Sequence, residues 1–491
     1  MNNRKNFITA LAYQLIHIAY GFIVPRLILA SFGSNINGLV SSITQFLSFI
    51  SLLEGGLGAV VLAELYKPIE DNDIQKVRGI LFSCRSFFRR LALIFVLYTI
   101  ILAFVYSFSI KQEYSVDFTF SLILILSLTT LAQYLFSITH KLFLQANQQL
   151  YIINIVTSST LLVNIIVAII VIKVFPEIHV LKLASSIAFF IQPLVLKHFI
   201  GYEFKTLSKR EIKRIELKNR WSGFAQNLAH FINMNTDIAI ITVFSSLENV
   251  SVYSVYMLAI TALRAIVTSI TNSYQSALGK YLAQGNAEIL KDKFKKFCIG
   301  TWGIAIILFS TCLLMINPFV SIYTTNINDA NYYQPLFALV IVLANLVYCL
   351  REPFRLLILA AGKFKETNFG AIIEAVINVA LSLLLITRFE LLGVAIGTFI
   401  AIAFRTLYFI FFLRKEIINL RIWEYRKYII VGTAIVVLNI ILYFAGCSVK
   451  IGLVSFVFIG ILVALFESII IFVFFIGIKE TIGLIKQFVR K

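Results

Sequence analysis

Residues 150–172 read LYIINIVTSSTLLVNIIVAIIVI, twenty-three positions without one charged side chain. The hydrocarbon core of a bilayer is about 30 Å thick and takes roughly 20 apolar residues to cross as a helix. In lipid every backbone N–H and C=O must be satisfied within the protein, so a crossing segment is a helix or part of a closed barrel. Apolar residues here run on continuously instead of alternating, which selects the helix. Thirteen further stretches read the same way: 7–30, 38–64, 87–109, 117–139, 179–201, 221–245, 250–279, 297–320, 333–355, 367–387, 390–413, 427–445 and 451–478. Composition agrees, with 59% hydrophobic residues, 14% charged residues and a mean hydropathy of +0.90. The chain is an all-α polytopic membrane protein of about fourteen transmembrane helices.

Positive charge sorts by side. The N-terminus and every second connection hold 35 of the 43 Lys and Arg, counting those that flank span ends; the other connections hold 5. The remaining three, Arg26, Arg264 and Arg405, fall inside spans. By the positive-inside rule both termini are cytoplasmic. The net charge of +19 therefore reflects topology and contact with anionic membrane lipids, and no nucleic-acid partner is expected. The first span is too long for a signal-peptide core and lacks a small-residue cleavage site, so it is expected to be retained. The five cysteines are scattered, only Cys447 falls in an outward loop, and no C-x-x-C or other metal spacing is present. No metal and no cofactor are expected. The outward loops are too short to hold a soluble catalytic domain, and no catalytic residues are assigned: the expectation is a protein that is not an enzyme.

Polar residues within the spans recur at a shift of 213 or 214. Gln14-x-x-His17 answers to Asn227-x-x-His230, Lys141-Leu-Phe-Leu to Arg355-Leu-Leu-Ile, and Ala146, Asn154 and Asn164 to Ala360, Asn368 and Asn378. The shift covers six helices and preserves orientation, so the expected organisation is two pseudo-symmetric six-helix lobes, 1–204 and 221–417. A cytoplasmic basic linker at 205–220 joins them, and two terminal helices follow within 418–491. Parallel repeats of this kind bind substrate between them and alternate access.

A charge in mid-bilayer costs on the order of 2.5–3.5 kcal/mol on insertion scales, so it marks function by default. Glu54, Asp237, Arg264, Arg405 and Glu467 lie near mid-depth; Glu374 lies in the inner half of its span and Arg26 in the outer third. Pro25 is expected to kink the first helix beside Arg26. Gln226, His230, Asn233 and Asp237 follow i, i+4, i+7, i+11 and share one face with neighbouring Asn227, a face unsuited to lipid. Gln14 and His17 form the matching patch on the first helix. Candidate substrate-lining residues are thus Arg26, Arg264, Arg405, His17, Gln14, Asn227, His230 and Asn233. Arg405 has an alternative role as internal glue with Glu374, and Glu374 with Asn378 reads as a structural seam. Glu54, opening Glu54-Gly55-Gly56-Leu57-Gly58, and Asp237 are the candidate proton or cation sites. Guanidinium groups bind phosphate bidentately and amides suit sugars, so the set fits an anionic, hydroxyl-rich substrate.

Several motifs resemble one family. Phe32-Gly33-x4-Gly38-Leu39 leading to Leu53-Glu54-Gly55-Gly56-Leu57-Gly58 is similar to the first two helices of Wzx-type polysaccharide repeat-unit flippases of the MATE-like MOP exporter superfamily. So are Ala277-Leu278-Gly279-Lys280-Tyr281-Leu282-Ala283, the run from Arg355 through Gly362-Lys363-Phe364-Lys365 to Glu374-x3-Asn378, and Gly393-Val394-Ala395-Ile396-Gly397-Thr398. The resemblance implies a flippase for an undecaprenyl-pyrophosphate-linked oligosaccharide in the bacterial cytoplasmic membrane, serving capsule or O-antigen synthesis. It implies a basic cavity lined from the first and eighth helices, here by Arg26 and Arg264. It also implies coupling to a proton or sodium gradient and, as partner, the polysaccharide polymerase machinery. The alternatives are an ion-coupled MATE-type antiporter, which calls for an acidic cavity, and a membrane-embedded glycan polymerase or acyltransferase, which calls for an outward catalytic loop.

Overall fold

The computed structural model describes residues 2–54, 57–110, 113–200, 224–363, 365–418, 421–446 and 452–476. These residues are almost entirely helical, and among them there is no strand. The expected linker at 205–220 and Cys447 lie outside the described residues.

Two helical runs are too long to be single crossings. Helix α1, Asn2–Ser48, has 47 residues, about 70 Å at 1.5 Å per residue and twice the hydrocarbon thickness. It breaks at Gly33, whose φ of 81° lies in the left-handed region that only glycine adopts without a steric penalty. The interruption falls there and not at Pro25, which stays within the helical run. A 3₁₀ turn, Phe49–Glu54, leads to α2, Leu57–Glu70. Next come α3, Ile74–Ser109, capped by Asp73 on the Lys76 N–H, and α4, Val116–Ala132. A π-helical turn, Gln133–Ser137, joins α4 to α5, Ile138–Ala146. Helices α6, Leu150–Val174, and α7, Ile178–Ile200, complete the first run.

The second run begins with α8, Phe224–Phe244, and α9, Leu247–Ser273, continued by the short α10, Gln275–Ala283. Helices α11, Ala287–Tyr323, and α12, Pro335–Ala360, follow. Helix α13, Asn368–Glu416, is the second doubled crossing, with 49 residues and a break at Glu390 (φ 48°). The turn is held by the Asn249 side-chain amide, which donates to the Glu390 carboxylate at 3.1 Å. Its two arms touch at Gly393 and Gly397: a Cβ on Gly397 would lie 2.6 Å from Ser382 Oγ, and one on Gly393 would lie 2.5 Å from the Leu385 backbone. Only glycine permits that approach. Helices α14, Arg426–Gly446, and α15, Leu453–Ile471, end the described chain. Among the described residues eleven stretches are long and apolar enough to cross a membrane. Two of these are doubled, and with α8 every one of the fourteen expected spans has its helix.

The fold divides into two compact units, Met1–Leu228 and Ala229–Lys491. In the first, α1 packs on α6, α6 on α7, and α3 and α7 on α4. In the second, α12 lies between α11 and α13, and α9 packs on α11 and α12. Buried asparagines link helices in each unit. Asn164 accepts from Tyr20 of the first arm of α1 and from Ser185 of α7 (3.5 and 3.2 Å). Asn378 accepts from Thr236 of α8 and donates to Thr398 of the second α13 arm (3.4 and 3.0 Å). The terminal helices are tied into the second unit. Glu467 of α15 accepts from Ser310 and Thr311 of α11 and from Asn439 of α14 at 2.5, 3.2 and 2.9 Å. Tyr443 of α14 accepts from Asn317 and donates to the Pro335 carbonyl.

Candidate functional site

Among the described residues, a cluster of charged side chains inside the membrane-spanning helices lies in the second unit, where α9, α12 and α13 meet. Asn345, Tyr348, Glu352 and Arg355 recur on α12 at i, i+3, i+7, i+10 and form one stripe. The stripe meets α9 at two polar rungs. Arg264 Nη1 donates to Asn345 Oδ1 at 3.1 Å, and Arg355 Nη2 donates to Asn272 Oδ1 at 3.4 Å. Between the rungs two guanidinium groups share one aromatic ring: Arg264 lies 3.8 Å and Arg351 4.7 Å from the centroid of Tyr348. Such contacts strengthen where the cation is desolvated.

Carboxylates hold the cluster together without neutralising it. Arg351 pairs with Glu374 at 2.5 Å, and Arg405 reaches the other Glu374 oxygen at 3.8 Å. Glu352 receives Arg355 through both Nε and Nη2. Four arginines, Arg264, Arg351, Arg355 and Arg405, thus face two glutamates, Glu352 and Glu374, and Asp237 is in electrostatic contact with Arg264. Arg351 and Arg405 are 5% and 2% exposed. Buried charge is costly unless compensated.

An acidic site in electrostatic contact with Arg264 lies at the junction of α8, α9 and α13. Asp237 is buried and accepts from the Tyr253 hydroxyl at 2.8 Å and from Thr398 Oγ1 at 3.1 Å. Thr398 in turn accepts from Asn378. In the first unit Glu54 accepts from the Tyr134 hydroxyl at 2.7 Å. Tyr134 belongs to the π-helical turn and packs against Phe88 and Phe95. Two departures from α geometry, a 3₁₀ and a π turn, therefore meet at one carboxylate, and such turns recur at functional sites.

The residues expected from sequence divide accordingly. Arg264 and Arg405 enter the same cluster, in different roles. Arg264 is half-buried; Arg405 is enclosed, donates to the Thr367 carbonyl at 2.8 Å and stacks over Phe409. Those are the surroundings of internal glue. Glu374 uses its carboxylate on the two arginines, and Asn378 joins the Asp237 network. In the first unit Arg26 and Gln14 are half-buried and His17 is exposed, with its ring 5.6 Å from that of Tyr13. Asn227, His230 and Asn233 lie on α8, and their side chains are outside the described residues. Glu467 belongs to the α11–α14–α15 seam, away from the basic cluster.

Sequence reading missed Arg351, Glu352, Tyr348 and Asn345. Arg351 and Arg355 close the tenth expected span and count with the inner flank, whereas α12 runs on to Ala360. The signal was present in Arg351-Glu352-x-x-Arg355, where opposite charges within reach of each other on one helix lower the cost of extending it.

No family model and no curated protein sequence matches this chain. Solved structures do match in fold. Lipid II flippase MurJ in an inward closed conformation aligns with a TM-score of 0.70 at 14% identity, covering 96% of this chain and 98% of its own. An inward-facing multidrug resistance MATE family transporter of the MOP superfamily aligns at 0.59 and 13% identity, covering 82% of this chain and 97% of its own. A MATE structure in the bent conformation aligns at 0.53 and 13% identity. The chain is thus a multi-pass membrane protein that shares its fold with a lipid II flippase and with MATE transporters. Of these neighbours, the flippase takes in almost the whole chain.

Proposed function

We propose that this protein is a flippase carrying an undecaprenyl-pyrophosphate-linked oligosaccharide repeat unit from the cytoplasmic to the outer leaflet by alternating access. It works in the bacterial cytoplasmic membrane with both termini cytoplasmic, supplying a polysaccharide polymerase on the outer side. The observation that carries this reading is the arginine-rich cluster on α9, α12 and α13, in which four guanidinium groups outnumber three carboxylates, Glu352, Glu374 and the neighbouring Asp237. A diphosphate offsets that excess, whereas a cationic drug adds to it. Arg264, stacked on Tyr348 and oriented by Asn345, holds the headgroup; Asn227, His230 and Asn233 of α8 are candidates for the sugars, and Arg26, His17 and Gln14 are the substrate-lining candidates of the first unit. The prenyl chain remains in lipid.

Asp237 is the proposed coupling site for a proton or a sodium ion. It sits where three helical segments meet, so occupancy changes how α8, α9 and α13 are held together. Glu54 is the second candidate, in the first unit, bonded to the π-helical turn by Tyr134. The test is reconstitution of the purified protein in liposomes with a fluorescent polyprenyl-diphosphate oligosaccharide. Transfer between leaflets by wild type and its loss in Arg264→Ala support the proposal; equal transfer by both removes the basic cluster from the mechanism.

A further inference from the structure

At the membrane surface that the Lys and Arg distribution assigns to the cytoplasm, basic side chains of α3, α5 and α7 converge. Helix α5 packs on both α3 and α7. It carries the half-buried His140, which is in electrostatic contact with Arg85 of α3 and with Lys197 of α7. Arg89, one turn along α3, is in electrostatic contact with Arg85. Arg85, Arg89 and Lys197 are exposed, and among the described residues none of the four forms an ion pair with a carboxylate. Like charges gathered without a counter-ion repel one another, so a ligand bringing negative charge relieves the cluster. Toward the bilayer interior the same faces turn apolar and stay exposed. Arg89, Leu93, Val96 and Ile100 follow i, i+4, i+7, i+11 on α3, and Leu93 is 73% exposed. The stretch from Arg89 to Ile100 rises about 16 Å, matching the roughly 15 Å of hydrocarbon in one leaflet. On α7, exposed Leu194 (67%), Ile191 and Ile187 lead inward from Lys197. Helices α3 and α7 both pack on α4, so two apolar stripes flank α4 and start from one basic cluster.

We propose that Arg85, His140 and Lys197 bind the phosphate of an anionic diacyl phospholipid of the cytoplasmic leaflet, with one acyl chain along the α3 stripe and the other along the α7 stripe. The Arg85 guanidinium and the Lys197 ammonium take the phosphate oxygens, and the His140 ring donates a further hydrogen bond. A zwitterionic headgroup gains less, because its ammonium end adds to the positive charge of the cluster. Bound there, the lipid braces α3 against α7 across α5. Helix α5 follows directly on the π-helical turn that carries Tyr134, so the brace bears on the segment that bonds Glu54. The site lies within the first unit and is independent of what the protein transports.

The test is lipid binding to the purified full-length protein, counted on the intact complex by native mass spectrometry, with phosphatidylglycerol and phosphatidylcholine of matched chains as probes. Wild type is expected to prefer phosphatidylglycerol. Arg85→Gln combined with Lys197→Gln should lower the ratio of the two affinities about thirtyfold, the worth of two cationic contacts at a membrane surface. Both residues are exposed, so this variant should stay folded and monodisperse on size-exclusion chromatography. Lys280→Gln combined with Lys293→Gln removes the same charge from exposed positions in the second unit and should leave the ratio unchanged. Inorganic phosphate should not displace the bound lipid. Equal losses in the two double variants reduce the preference to net charge and overturn the site. A wild type without preference, or an unchanged ratio after the loss of Arg85 and Lys197, overturns it as well. Displacement by inorganic phosphate assigns the cluster to a soluble anion and overturns the lipid as its ligand.

Discussion

Replacing Glu374 by alanine strands two guanidinium groups at once. Glu374 is buried on α13 and is paired with Arg351 on one oxygen at 2.5 Å and with Arg405 on the other at 3.8 Å. Removing one member of a buried ion pair costs about 3–5 kcal/mol, because the survivor remains desolvated and uncompensated. Here there are two survivors, and neither reaches water: Gly370 packs so tightly on Arg405 that a Cβ would come within 2.6 Å of its Nη1. Arg351→Ala is the informative comparison. It leaves Glu374 with Arg405, so it should cost less, about 1–3 kcal/mol for a weakened buried acceptor. The expected order of stability is wild type, then Arg351→Ala, then Glu374→Ala. The assay is thermal unfolding of the purified variants in detergent, read as the fraction remaining monodisperse on size-exclusion chromatography. Equal losses for the two variants, or none for Glu374→Ala, would refute the assignment of Glu374 as the shared counter-ion.

Other regions make independent predictions. Glu467→Ala should orphan Ser310, Thr311 and Asn439 contacts and destabilise by about 1–3 kcal/mol; in the same unfolding assay Glu467→Gln should lose less, since it keeps an acceptor for Asn439. Gly397→Val should force the arms of α13 apart and cost about 1–3 kcal/mol, as overpacking does, lowering the unfolding midpoint. Asp237→Asn keeps an acceptor for Tyr253 and Thr398, so the protein should remain folded; transport in liposomes should lose its dependence on an imposed proton or sodium gradient.

Much of the fold was legible because lipid allows one solution to the backbone problem: a long uncharged run must become a helix. What the run could not reveal was where a helix doubles back without a polar loop. Residues 31–37 contain no Lys or Arg and remain helical up to and beyond Gly33, and the second doubling turns at Glu390. The candidate site was legible in part. Arg264 stood out as a lone charge deep in a span. Arg351 did not, because its charge lies near the inner end of α12 and looks like a topology signal. Its partner Glu374 is 23 residues away, and only the packing of α12 on α13 joins them. The same holds for Asp237, whose bond to Thr398 spans 161 positions. Asn164 and Asn378 stood out as polar residues within spans, although their partners on neighbouring helices needed the structure.

The most direct test of the account is the location of the lipid-linked repeat unit in cells lacking this gene and complemented with either wild type or Arg264→Ala at matched protein amounts. The expected result is accumulation of the unit in the inner leaflet, cleared by wild type and persisting with Arg264→Ala. Clearance by Arg264→Ala as fast as by wild type, or a unit already exposed on the outer leaflet without the protein, would contradict the account.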